Sequence, residues 1–144
     1  MGMCARFVSV SPADIQGLRE QPDELVAFLY QDDDAAGAPE SIDVDKAWHG
    51  LHYLFNGNAH GGSGPLADAI LGGEEIGEEM DYGPARLLVP ATVAAIAQAL
   101  NTLDPEELKR RYDPQDMEAK QIYPDIWVSE GDHAFDYLLG YADR

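Results

Sequence analysis

Prolines set directly after helix-capping residues cut this chain into short segments. Ser11-Pro12-Ala13-Asp14 places an N-cap serine before a proline at the first helical position, with an acid at the third. Gln21-Pro22-Asp23-Glu24 restarts the pattern, and Asp104-Pro105-Glu106-Glu107 and Asp113-Pro114-Gln115-Asp116 repeat it. Proline has no backbone N–H and clashes with the preceding turn, so a helix can begin at each of these points but cannot run through it. The result is a string of short helices, one with Ile15 and Leu18 on its apolar face and another with Leu25, Val26, Phe28 and Leu29.

Between these boundaries the pattern predicts a main helix over Asp43–Asn56, because Val44, Trp48, Leu51 and Phe55 recur at helical spacing and should face the core. Asp43 can cap its start, and Gly57 can supply the left-handed residue that ends it. Leu66, Ala69, Ile70 and Leu71 suggest a short helix, followed by an acidic segment with Glu74, Glu75, Glu78 and Glu79. The Ala-rich run Pro90–Asn101 reads as a well-buried helix, and the last segment, from about Gly131, carries Phe135, Leu138 and Leu139 on one face. Strands are expected over Ala5–Val10 and Ala85–Val89, with Ile122-Tyr123-Pro124 extended because a residue before proline avoids the helical region. The fold class is therefore α+β, several short helices packed on a small mixed sheet, in one domain spanning residues 1–144.

The chain needs no disulfide or metal staple at this length, since 45% of its 144 residues are hydrophobic and spread from end to end. Cys4 is the only cysteine, so neither an internal disulfide nor a cysteine-based zinc site can form, and its place beside a strand favours burial. No segment has the run of apolar residues of a membrane helix or the layout of a signal peptide, and a cytoplasmic location is expected. The 27 acids against 9 bases give a net charge of −18. That field repels phosphate backbones and anionic membranes, so nucleic acid and membrane are not expected partners, whereas a basic protein would be steered towards it. Nothing in the pattern sets the oligomeric state.

Familiar chemistry fails at named residues. His49 and His52 lie three apart on one helix but enclose Gly50 and Leu51, not the four-apart pair with a glutamate that a zinc protease uses. Gly62-Ser63-Gly64-Pro65-Leu66-Ala67 fits a weak dinucleotide pattern, yet it follows a helix, and Pro65 removes a donor. Gly61-Gly62-Ser63-Gly64-Pro65 departs from a nucleophile elbow at its last position, and Asp32, Asp33 and Asp34 lack calcium-loop spacing. No catalytic residue, cofactor or metal site is assigned. Arg86, on a strand among leucines, is expected to form an ion pair. Tyr82, Tyr123 and Trp127 could serve either core or groove.

Several stretches together resemble a known family. Met1-Gly2-Met3, Asp43 through Leu54, Pro65-Leu66 with Ile70-Leu71-Gly72-Gly73, Tyr82-Gly83-Pro84-Ala85-Arg86 and Ile122 through Trp127 are similar, in order, to the YfbM-like family of bacterial proteins. The resemblance implies an α+β fold and carries over no catalytic residues. It also implies a C-terminal helix and strand beyond the region of Tyr137 to Tyr141, which this chain, stopping at Arg144, would lack. The functional expectation is a non-enzymatic binding protein, immunity-like in its choice of a basic protein partner. The alternative is a small-molecule binder or hydrolytic enzyme with a pocket drawn from Lys46, His49, His52, Tyr82 and Arg86.

Overall fold

The computed structural model describes residues 2–31, 34, 36–80 and 83–143. The expected starts hold. Helix α1 (Pro12–Glu20) begins with Ser11 accepting from the Asp14 N–H while the Asp14 carboxylate accepts from the Ser11 N–H, a reciprocal cap. A 3₁₀ turn at Pro22–Glu24 leads into α2 (Leu25–Leu29). Further along, α5 (Pro90–Asn101), α6 (Pro105–Arg111) and α7 (Pro114–Ala119) each carry proline in the first turn, with Asp104 and Asp113 capping the last two. The chain closes with α8 (Trp127–Glu130) and α9 (Asp132–Ala142).

Among the described residues the strands form two separate antiparallel pairs, where one small mixed sheet was expected. Strand β1 (Ala5–Val8) pairs with β2 (Ser41–Asp45), and β3 (Glu74–Met80) pairs with β4 (Gly83–Leu87). The second pair is a hairpin, whereas the first joins strands on either side of α1 and α2, and among the described residues neither ladder has a parallel neighbour. The acidic segment after Gly73 is thus a strand. Its glutamates are tolerated because Glu74, Glu75 and Glu78 are exposed, and Arg86 meets Glu75 across the ladder at 3.1 Å, the ion pair expected of it.

The main helix is shorter than its periodicity suggests. Residues Ser41–Asp45 are strand, and α3 runs only over Trp48–Asn56. Asp43 does not cap the helix; its carboxylate accepts from the Asp45 N–H at 2.7 Å and closes a turn in which Asp45 is left-handed, φ 45°. Val44 matched the helical pattern because it is buried anyway, on the strand that feeds the helix. At the far end Gly57 takes φ 73° and donates to the Tyr53 carbonyl, as expected of a helix-ending glycine.

Helix α3 is the centre of the core, buried from His49 through Phe55. Around it pack Leu108, Met117, Ile122, Trp127, Ala134, Phe135 and Leu138. Its orphan C-terminal carbonyls at Leu54 and Phe55 accept from the Arg111 guanidinium, which also meets Glu107 at 2.7 Å. The Tyr53 hydroxyl donates to Asp116 at 2.7 Å and ties α3 to α7. Burial, then the Asp116 carboxylate, pushes the Tyr53 pKa well above the ordinary range, while hydrogen bonds from Lys120 and Tyr53 hold Asp116 below its own.

Several burial expectations are corrected. In α2 only Leu25 is buried, and Val26, expected on the same apolar face, is 52% exposed. Of α5 only Ile96 is buried, and Val93 is 48% exposed, because the helix lies across the outside of α4 (Pro65–Leu71). Cys4 is exposed where burial was expected: it precedes the first strand, and its thiol donates to the Asp45 carboxylate at 3.1 Å. That hydrogen bond raises the Cys4 pKa and disfavours the thiolate.

Gly50 sets how closely the core closes on α3. A Cβ there would stand 2.7 Å from both Leu138 Cδ2 and the Trp127 ring, and those two side chains are fully buried. The prediction is that Gly50→Ala, although it improves helix propensity, destabilises the fold by about 1–3 kcal/mol through overpacking. A urea midpoint equal to or above that of the wild type would contradict it.

Candidate functional site

The site is built at the N-terminal end of α3, where three segments meet. A cleft of about 420 Å³ is lined by Met3, Trp48, His49, His60, Gln121, Tyr123, Pro124 and Asp125. Trp48 was expected to face the core, but it stands half-buried at this wall with its indole N–H donating to the Met3 carbonyl at 2.9 Å. The Tyr123 hydroxyl accepts from the Met3 N–H at 2.8 Å, so both sides of the Met3 backbone are held. A Cβ on Gly2 would collide with Lys46 Cε and the Tyr123 hydroxyl, which explains why the chain has glycine where it enters the cleft.

His49 joins the three segments. It is 4% exposed, and its Nε2 lies 2.8 Å from the Ala59 carbonyl while its Nδ1 lies 2.9 Å from the Tyr123 backbone nitrogen. A carbonyl can only accept and a backbone N–H only donate, so the ring is the neutral Nε2–H tautomer. His52, 1% exposed, repeats the arrangement one turn on, with Nε2 at 2.9 Å from the Gly61 carbonyl. The Asn56 amide lies near its other nitrogen and donates to the Leu66 carbonyl at 2.9 Å. The two histidines thereby pin the glycine-rich connection after α3 at Ala59 and Gly61. Desolvation depresses both pKa values, with the carbonyl partners opposing it in part.

The rings form a continuous run. Tyr123 and Trp48 centroids are 6.0 Å apart, Trp48 stacks on His49 at 4.8 Å with planes 9° apart, and His49 stacks on His60 at 4.9 Å. At the rim, Gln121 and Asp125 flank the Ile122-Tyr123-Pro124 segment in left-handed conformations, φ 56° and 67°, with a cis Tyr123–Pro124 bond between them. Non-glycine residues seldom adopt that conformation, and where they do the surroundings must hold them. The side chains of Gln121, Asp125 and His60 are exposed and make no hydrogen bond or ion pair among the described residues.

Of the expected pocket residues Lys46, His49, His52 and Arg86, the structure brings only His49 to the cleft wall, where Tyr123, left open between core and groove, also stands. His52 braces the loop behind it, Lys46 is exposed with its side chain over Gly2, and Arg86 is engaged with Glu75 on β4. Tyr82 lies outside the described residues, as do Asp32 and Asp33. Sequence reasoning missed His60, Gln121 and Asp125; the proline after Tyr123 was the one signal near them. Trp127 is core, fully buried, with its N–H on the Ile122 carbonyl at 2.7 Å. Among the described residues no three His, Cys, Asp or Glu side chains converge to hold a metal ion, and no helix is long and apolar enough to cross a membrane.

Comparison with known proteins agrees with this arrangement at the level of fold. Residues 1–144 match a family model described as "Domain of unknown function (DUF1877)". The chain is 27% identical over 134 residues to Protein YfbM of Escherichia coli strain K12, covering 90% of this chain and 78% of that protein. A crystal structure titled as that of a protein of unknown function, YfbM from Escherichia coli, superposes with a TM-score of 0.76 at 23% identity, over 98% of this chain and 87% of the other.

The depressed histidine pKa values fix a pH dependence. Because the folded state favours the neutral rings, their contribution is fully present above the unfolded value of 6.5 and is lost as the pH falls below it. His52→Gln, which has no ring to protonate, is expected to unfold at lower urea than the wild type at about pH 7.5 and to lose less of its midpoint on going to about pH 5.5. Equal losses in the two proteins would contradict the assignment.

Proposed function

The chain belongs to the DUF1877 family, and from that premise and the geometry of the cleft we propose that it is a binding protein that docks a basic protein partner, as an immunity-like protein covers a cationic patch. The carrying observation is the division of labour at the cleft. The rings of Trp48, His49 and Tyr123 are locked by hydrogen bonds to Met3, Ala59 and the Tyr123 backbone, while the rim side chains of Gln121 and Asp125 make no hydrogen bond or ion pair among the described residues. A rigid aromatic wall with free polar groups at its edge is the make-up of an interaction site, and a net charge of −18 steers a cationic surface towards it.

A second reading, a small-molecule site or hydrolytic centre on the Trp48–His52 helix, is favoured by the size of the cleft, about 420 Å³, which falls within the range of ligand pockets. Its candidate base is the weak point. To take a proton His49 would have to give up the Tyr123 N–H that its Nδ1 accepts.

Fluorescence tests the binding reading directly, because one of the two tryptophans, Trp127, is fully buried and the other, Trp48, lines the cleft. Short basic peptides are expected to shift the emission, with affinity falling between about 50 mM and about 300 mM salt, and the Trp48→Phe variant should lose that signal. Acidic peptides are expected to do nothing. Emission unchanged by basic peptides at either salt would contradict the reading.

A further inference from the structure

We infer that the cleft reads arginine: one guanidinium group of the partner lies against the rings at Trp48 and Tyr123, with its N–H groups on the Asp125 carboxylate. The inference deepens the binding reading above and rests on it. Its starting point is Asp125, an exposed carboxylate at the rim of an aromatic cleft that has no ion-pair partner among the described residues. Its backbone is held left-handed at φ 67°, and Gln121 across the same short segment is left-handed at 56°, so the fold maintains two unfavourable backbone conformations at the rim.

The chemistry of the lining selects among cations. Trp48 and Tyr123 line the cleft, and an aromatic lining suits arginine better than lysine because a guanidinium is planar, weakly hydrated and stacks. The rim supplies acceptors, the Asp125 carboxylate and the Gln121 side-chain oxygen, which suit a group carrying five N–H donors in a fixed plane. A quaternary ammonium has no donor to offer them. An anionic ligand would meet an unpaired carboxylate and the field of the whole chain.

The test uses the full chain and three short peptides identical except at one central position, which carries arginine, lysine or the neutral, planar citrulline. Affinities are read by calorimetry for the wild type and for Asp125→Asn, since asparagine tolerates the left-handed conformation and preserves the rim backbone. The arginine peptide is expected to bind about tenfold tighter than the lysine peptide, with citrulline weakest, and Asp125→Asn should reduce the arginine preference to about twofold or less. Circular dichroism confirms that the variant is folded. Equal affinity for arginine and lysine, or an arginine preference that survives Asp125→Asn, overturns the assignment of the site while basic-peptide binding stands. Failure of every peptide to bind overturns this inference together with the reading beneath it.

Discussion

The neutral imidazole of His49 is the interaction on which the candidate site depends. Through one ring it accepts a backbone N–H from the segment at Tyr123 and donates to the Ala59 carbonyl, so a helix, a loop and an extended turn are fixed at one point. A buried group bonded on both sides resists replacement by an apolar residue, because its two partners would be left buried and unpaired. The same ring stacks between Trp48 and His60 in sequence of contact, so the hydrogen bonds that hold the turn also set the aromatic wall. Proton chemistry at His49 and the stability of the cleft are therefore in competition.

That arrangement needs α3 to be immobile, and the packing supplies it. Gly50 lets Trp127 and Leu138 close against the helix, Arg111 satisfies the carbonyls at its end, and the Tyr53 hydroxyl reaches Asp116. The helix is short, nine residues, and would not persist alone in water. Its order comes from burial on nearly every face and from polar groups supplied by its neighbours.

Much of the fold was legible because proline and its capping residues leave few choices. The starts of α1, α5, α6 and α7 and the end of α3 at Gly57 follow from local backbone chemistry alone. What local chemistry cannot show is a strand that happens to match helical spacing, as Val44 does, or an acidic strand such as β3, whose glutamates are tolerated only because one face of the hairpin is solvated. The site was legible in His49 and in Tyr123, whose place in core or groove was left open, whereas Trp48 was expected in the core. Asp125, Gln121 and His60 reach it through a left-handed backbone and a loop pinned by histidines, and neither is written in the spacing of side-chain types. The family resemblance expected from the sequence agrees with the family match and with the fold of the Escherichia coli relative.

The central claim is that the two buried histidines are neutral braces of fixed tautomer, and nitrogen chemical shifts of the imidazole rings test it most directly. Long-range proton–nitrogen correlation spectra of the folded protein near neutral pH should show His49 and His52 with Nε2 protonated and Nδ1 bare. A charged ring, an Nδ1–H tautomer, or rapid averaging between tautomers at His49 would contradict the account.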